Sequence, residues 1–539
     1  MRRSDAALCA IALLALAGAF AFTWQPGLAS LHDDSVSYLL MAQWYAPFQA
    51  VPASVAAAAP LEKYPPLFPL LLALGGGAFD WRIAHALVAA SFAASVLLLG
   101  MHARQLTASS MMGAAAALVF AFMPGAWLNL KGILSEFPYM ALSFAAIIAY
   151  ERQRRRPPSR RAAILLGLLL AGALLTRTIG VALLAAIAAA EILRARRAPD
   201  PARLRALAWT FGVPIACAAL WYLLRPAAGE DAYATFAGRV AGDANTEGAT
   251  RLIAMAQVNL AAISDAWLAS MLIFWGEWWK PGFLLATALG IIAVLATVRR
   301  AAQGEMDALY CLAFTAILVA WPFPGQMLRL AFPVLPLVMV NMLWAWQRLL
   351  LRMGVEDALQ RAPLAAVLPL ALCVPAVVFY MVERGRAATT APGSTSNRDI
   401  TEFYRIPSGP SAAANAAAQV GVFEDMRRIR DMTPEGARVL GYAPAYISLL
   451  AQRHGVALQH PRDAADLATQ AIVANADYIY LAAIHPRDSG RRLGNPLEPL
   501  ALAREFTDVV FQRGFRGGEV QAALLKVDRD RVGRKEARP

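Results

Sequence analysis

The chain has 539 residues, 58% of them hydrophobic and 16% charged, with a mean hydropathy of +0.47. Soluble domains carry nearer a quarter charged residues, so this balance excludes a water-soluble enzyme and indicates an integral membrane protein. The formal net charge of +13 does not signal nucleic acid: the arginines stand between apolar runs, as in RQRRRPPSRR at 152–161 and RARRAPDPARLR at 194–205, which is the positive-inside pattern of membrane proteins.

The first segment, MRRSDAALCAIALLALAGAFAFTW, starts like a signal peptide, and LAGAFAF has the small residues of a cleavage region. Its apolar stretch from Ala6 to Trp24 is nevertheless long enough to cross a bilayer, so a first transmembrane helix with Arg2 and Arg3 inside is expected. Apolar runs at 7–24, 82–102, 111–128, 133–150, 162–177, 179–193, 206–224, 281–298, 307–323, 330–347 and 363–382 then predict about eleven spans. With the N-terminus inside, the basic loops at 152–161, 194–205, 299–300 and 348–361 all fall inside and the C-terminus outside. YPPLFPLLLALGGGAF (64–79) is short and ends in glycines, while WLASMLIFWGEWW (267–279) reads as interfacial, because aromatic belts collect at the headgroups. Cys9, Cys217, Cys311 and Cys373 all lie in apolar segments and give neither a disulfide framework nor a metal spacing.

Past Glu383 the composition changes. Residues 384–410 read as a linker rich in Pro, Gly, Ser and Thr, and 411–539 as a small extracytoplasmic α/β domain after a membrane domain at 1–383. There FEDMRRIRDM predicts an amphipathic helix, ARVLGY and ADYIYLAAI predict buried strands, and AYISLLAQRHG predicts a helix closed by Gly455.

The external loops hold the chemistry. LHDDSVSYLLMAQWYAPF (31–48) sets Asp33 and Asp34 before a helix with Val36, Leu39, Leu40, Gln43 and Trp44 on one side, which predicts an interfacial helix. Asp34, next to the periodic run, is the better N-cap, leaving Asp33 to face the loop's cavity. LEKYPPLFPLLLAL contributes Glu62, Lys63 and Tyr64 at a rigid Pro-Pro turn; NLKGILSEFPYMAL contributes Lys131 and Glu136; TRTIG contributes Arg177; and PFPGQMLRLAFPVLPL contributes Arg329. External cations run against the positive-inside bias, and gathered with carboxylates at one surface they suit a charged lipid headgroup.

In this order the motifs resemble the GT-C fold membrane glycosyltransferases, nearest to the aminoarabinose transferases of lipid A, the protein mannosyltransferases and the rhizobial lipopolysaccharide core transferases. The resemblance runs over roughly residues 1–350. It implies a polyprenyl-phosphate sugar donor, a glycan, lipid or protein acceptor approached from the extracytoplasmic side of the cell (inner) membrane, and inversion at the anomeric carbon. It also implies that the first-loop aspartate, Asp33 or Asp34, is catalytic and that Lys63 contacts the donor phosphate. The histidines that complete a metal site in the aminoarabinose group find no counterpart among His32, His85, His102, His454, His460 and His485.

The chemistry agrees. A lipid phosphate is a good leaving group if cations neutralise its growing charge, the role expected of Lys63, Lys131, Arg177 and Arg329. A carboxylate must take the acceptor proton, the role of Asp33 with Asp34 as second candidate. Glu136 would orient the acceptor or join the aspartates around a divalent ion, for which oxygen ligands suit Mg²⁺ or Mn²⁺; Glu62 and Tyr64 would orient their neighbours. The metal itself stays undetermined. A lipid or glycan flippase is the rival class, but its binding residues would sit near the bilayer midplane on broken helices, whereas here the polar residues gather at one surface. A lipid-binding scaffold without catalysis is the other rival.

Overall fold

The computed structural model describes residues 3–24, 33–196, 200–225, 248–272, 280–321, 323–390, 410–482, 498–514 and 520–536. The chain forms two compact units: residues 1–24, 61–68 and 82–384 make the first, and residues 25–60, 69–81 and 385–539 the second.

The first unit is helical. Among the described residues seven helices are long and apolar enough to cross a membrane, or up to nine when two bent pairs are each taken as one span. Six of the runs expected from the sequence are among the seven, the longest being Trp81–Thr107 and Pro201–Leu224. The expected run at 111–128 is broken into Ser110–Ala121 and Pro124–Leu130, bent by 52°, because Pro124 cannot donate to the preceding turn. Another break, of 63°, separates Pro324–Leu330 from Leu335–Arg352. Three expected spans form helices that fall short of that test: Glu136–Arg154 carries charges at both ends, and Arg160–Thr176 and Met306–Val319 are short.

One long helix was not anticipated. Gly248–Leu272 has only moderate hydropathy, broken by Arg251, Gln257, Asn259 and Asp265, yet it satisfies the spanning test from Leu252. The supposedly interfacial stretch begins inside it: Ala266, Trp267 and Leu272 are buried, and the Trp267 indole donates to the Ala286 carbonyl at 2.9 Å. Residues 273–279 lie outside the described ones.

Side-chain contacts sort the helix ends onto two faces. His102, Glu151, Arg154, Arg300, Glu305, Asp307 and Arg348 line one cavity, so the ends of four helices and the start of a fifth share a basic face. Arg203, donating to Glu191 at 2.6 Å, and Tyr150, donating to the same carboxylate at 2.7 Å, add the start of Pro201–Leu224 to it. Pro201–Leu224 therefore leaves the basic face and Lys280–Ala302 returns to it. Helix Gly248–Leu272 stands between these two in the chain. Its Asn259 bonds the carbonyls of Val319 and Trp321, at the end of Met306–Val319 remote from the basic face.

The second unit is built on a five-stranded sheet of β1 (Arg438–Gly441), β2 (His454–Ala457), β3 (Tyr478–Ala482), β4 (Thr507–Gly514) and β5 (Val520–Val527), in the order β2-β1-β3-β5-β4. β1 runs parallel to β2 and β3, while β5 is antiparallel to β3 and β4. All of β3 is buried, as a continuous apolar run requires of a central strand, and Leu440, Ile479, Leu481, Leu525, Leu467 and Phe506 form the core. β1 and β3 lie where the sequence predicts strands; β4 and β5 were not foreseen.

The helix predicted to close at Gly455 stops sooner. Pro444–Tyr446 passes into a π-helical turn over Ile447–Ala451, and Gln452 ends it in the left-handed conformation with φ 53°. Gly455 instead sits in β2, where a Cβ would run into the Pro444 carbonyl. The Arg453 guanidinium donates to the Arg430 and Thr433 carbonyls, closing the end of helix Pro410–Met432.

The unit also includes helices Asp33–Tyr45 and Ala53–Ala58, which pack on the Pro444–Ala451 segment. Residues Ser35 to Gln43 are buried throughout, and Gln43 donates to the Ala78 carbonyl at 3.0 Å. The expected interfacial helix is thus enclosed by protein on all sides, with Trp44 half-exposed beyond it. Residues 391–409, most of the predicted linker, lie outside the described residues.

Candidate active site

Three of the predicted residues converge on the face of the first unit opposite the basic loops. Each is placed by a local break in helical structure. In LSEFP, helix Glu136–Arg154 starts at the glutamate, and Pro138 falls in its first turn, where a missing N–H costs nothing. In TRTIG, helix Arg160–Thr176 ends and Arg177 is extended, with φ −148° and ψ 132°, before the 3₁₀ turn Thr178–Gly180. A Cβ at Gly180 would lie 2.9 Å from the backbone of Leu174, so this close turn needs glycine. In LRLAFPVLPL, the turn Met327–Leu330 carries Arg329 just before the bend into Leu335–Arg352.

Arg177 donates to Glu136 Oε1 at 2.6 Å and to Ser135 Oγ at 3.2 Å, and Arg329 Nε lies 3.6 Å from the same carboxylate oxygen. Glu136 is fully buried, whereas the Arg177 and Arg329 side chains remain 13% and 15% exposed. Both guanidiniums meet this one carboxylate in a poorly solvated place, where Coulomb interactions are several times stronger than in water. Glu136 Oε2 is buried with no hydrogen-bond partner.

Aromatic packing holds the segments together from below. Phe137 meets Phe332 edge-on at 6.0 Å and Phe92 at 5.1 Å, tying the residue after Glu136 to the segment that carries Arg329. Deeper still, the Tyr139 and Tyr310 hydroxyls share a hydrogen bond of 2.8 Å.

The remaining predicted residues are placed separately. Lys63 is exposed, with Nζ 4.9 Å from the centre of the Tyr64 ring, and the Glu62 carbonyl accepts from Arg225 at 3.2 Å. Lys131, half-buried, ends helix Pro124–Leu130. Asp33 and Asp34 belong to the second unit. Their helix begins at Asp33, so Asp34 lies inside the first turn and is not the N-cap expected from the sequence; acids there are favoured by the helix dipole. The Asp34 side chain is half-buried, and that of Asp33 is outside the described ones.

Among the described residues no group of three or more His, Cys, Asp and Glu could hold a metal ion. At Glu136 a divalent cation would face two guanidiniums, so these residues do not fit one.

Comparison with solved structures decides the fold. The crystal structure of ArnT from Cupriavidus metallidurans in the apo state superimposes with a TM-score of 0.52 at 14% identity, over 96% of this chain and 96% of that one. This chain has the GT-C fold. ArnT bound to undecaprenyl phosphate gives a TM-score of 0.51 at 12% identity, covering 96% of this chain and 97% of that one. The oligosaccharyltransferase of Archaeoglobus fulgidus, crystallised with Zn and sulfate, gives 0.49 at 12% identity over 87% of this GT-C chain and 67% of its own. No protein-family model matches the sequence, and no curated protein does.

The sequence reading overlooked the interior of the basic face, where His102, Arg300 and Asp307 pair. Its signal was present in an aspartate just after the RR of a basic loop, but charges on that side are absorbed by the positive-inside pattern.

Proposed function

We propose that this protein is an inverting glycosyltransferase that moves a sugar from a polyprenyl-phosphate donor to a glycan, lipid or protein acceptor. The reading places it in the cell (inner) membrane, with the basic face cytoplasmic and the site extracytoplasmic. The observation that carries it is the buried Glu136 holding Arg177 and Arg329 at the face opposite the basic loops, within a GT-C fold. The ArnT structure with undecaprenyl phosphate supports a lipid phosphate as the ligand of such a fold.

In this reading the acceptor hydroxyl oxygen attacks the anomeric carbon from the side opposite the phosphate. The carbon–oxygen bond to phosphate breaks, and its electron pair leaves on the phosphate. Arg177 and Arg329, aided by Lys63 and Lys131, offset that growing charge. The acceptor proton passes to a carboxylate, assigned to Asp33 ahead of Asp34 on the sequence order. Glu136, already bonded to Arg177, acts by fixing the guanidiniums, and Glu62 and Tyr64 orient the Lys63 segment. Residues 1–383 form the transferase domain, and 411–539 an accessory domain on the acceptor side.

The test is transfer of radiolabel from polyprenyl-phosphate sugars to envelope glycan, lipid or protein fractions by the purified protein in liposomes. Label should pass to an acceptor with the wild type and not with Asp33→Asn. Donor that crosses the bilayer with its sugar bond intact would show a flippase instead.

A further inference from the structure

The basic face of the first unit contains a cavity of about 220 Å³ whose lining includes His102, Glu151, Arg154, Arg300, Asp307 and Arg348. At about 30 Å³ per water, that is room for roughly seven waters, or for a tetrahedral oxyanion with part of its hydration shell. Glu136 and Arg154 begin and end one helix, so the cavity lies about 27 Å from the candidate active site.

Its charges are partly paired. Asp307 Oδ1 accepts from Arg300 Nη2 at 2.7 Å, and its other oxygen lies 3.1 Å from His102 Nε2. Arg154 donates to Glu305 at 3.2 and 3.4 Å, and its Nη1 is 3.7 Å from Glu151. The lining holds four arginines against three carboxylates, an excess of positive charge before His102 is considered.

Arg300 is the telling residue. It is 98% buried by its 2% exposure, yet only one of its nitrogens is engaged: Nε and Nη1 are buried with no hydrogen-bond partner. His102 Nδ1 is also buried without one. Leaving donors of a buried cation unmade costs the full desolvation of the group, several times the net worth of an ordinary hydrogen bond. The guanidinium is held in place rather than collapsed: its Cζ lies 5.3 Å from the centre of the Trp344 ring, with that of Arg348 at 4.6 Å from the same ring. Two guanidiniums sharing one indole, one with spare donors, form a fork for oxygen acceptors.

We infer that this cavity is a second ligand site, on the face opposite the transferase site, that binds a phosphate-class anion through Arg300 and Arg348. A phosphate suits the lining, since its anionic oxygens accept from the arginines. The same chemistry is offered by free phosphate and by a phosphomonoester lipid headgroup. The inference does not depend on the transferase reading, because none of its residues belongs to that site.

The test is binding of inorganic phosphate to the purified protein by titration calorimetry, against chloride at equal ionic strength. A parallel arm compares nanodiscs of phosphatidylcholine with and without phosphatidic acid. Arg348→Gln is the informative variant because Arg348 is exposed and its loss does not break the buried Arg300–Asp307 pair; Arg300→Gln is the second. Phosphate, phosphatidic acid or both should bind, about tenfold more weakly to Arg348→Gln, while Arg462→Gln in the second unit binds as wild type. Binding of phosphate alone would identify a soluble ligand, and of phosphatidic acid alone a headgroup. No binding of either anion, or equal binding by wild type and Arg348→Gln, would overturn the inference.

Discussion

Glu136 shows how a single buried carboxylate sets a site. With no exposed surface and Arg177 at 2.6 Å, it cannot be removed without breaking a buried, charge-assisted pair. Glu136→Ala is therefore expected to lower the unfolding free energy by about 3–5 kcal/mol, and Glu136→Gln, which keeps an acceptor, by about 1–3 kcal/mol. Thermal unfolding of both variants in one detergent checks the order. Equal stability of Glu136→Ala and wild type would show that the ion pair is ornamental. That Glu136, Arg177 and Arg329 deserved notice was legible in the sequence, since each is a charge beside an apolar run on the side where cations are disfavoured. Their convergence on one oxygen atom was not, because it depends on two helix breaks and a bend far apart in the chain. The role of Asp34 as a cap was misread for a local reason: acids suit both the cap and the first turn, and sequence alone does not separate those positions.

At the scale of elements, the Phe137–Phe332 contact links the start of one helix to the break before another. Phe332→Ala should cost about 3–5 kcal/mol and also weaken transfer by letting the Arg329 segment drift, whereas Phe332→Leu should retain much of both. Loss of stability in Phe332→Ala with donor use unchanged would separate packing from positioning. In the second unit, Tyr480 on β3 donates to Asp425 at 2.8 Å, and Arg513 on β4 donates to the same carboxylate at 3.0 Å, so helix Pro410–Met432 is fixed to two strands. Burial, then the neighbouring Asp425, holds the Tyr480 phenol well above its usual range. A group whose pKa is raised on folding stabilises the fold below its unfolded value, and that contribution fades above it. Stability should thus fall as pH rises past about 10, and Tyr480→Phe should lack this decline. Chemical unfolding followed from pH 8 upward compares the two. The buried strands β1 and β3 were readable from their apolar runs, but β4 has only Val509, Val510 and Phe511 between polar residues and β5 ends in a charged stretch. Helix Gly248–Leu272 was missed because its polar residues interrupt the hydropathy that marks a span, although its packing accommodates them, as Asn259 shows.

For the whole molecule, the composition alone determined the membrane class, and the arginine-rich loops predicted which helix ends share a face. The grouping of residues 25–60 with the C-terminal unit was hidden, because it rests on contacts between segments hundreds of residues apart. The orientation has its own test. With Cys9 and Cys217 replaced by serine, a cysteine at Val473, 81% exposed, should react with an impermeant thiol reagent in spheroplasts, and one at Ser159 should not. The reverse pattern would invert the topology. The proposed mechanism requires the guanidiniums gathered by Glu136 to receive the donor's phosphate. Equilibrium binding of undecaprenyl phosphate to wild type, Arg177→Gln, Arg329→Gln and the control Arg462→Gln tests it most directly. Each loss of a charged donor should weaken binding about tenfold or more, with the control unchanged. Wild-type affinity in both Arg177→Gln and Arg329→Gln would contradict it.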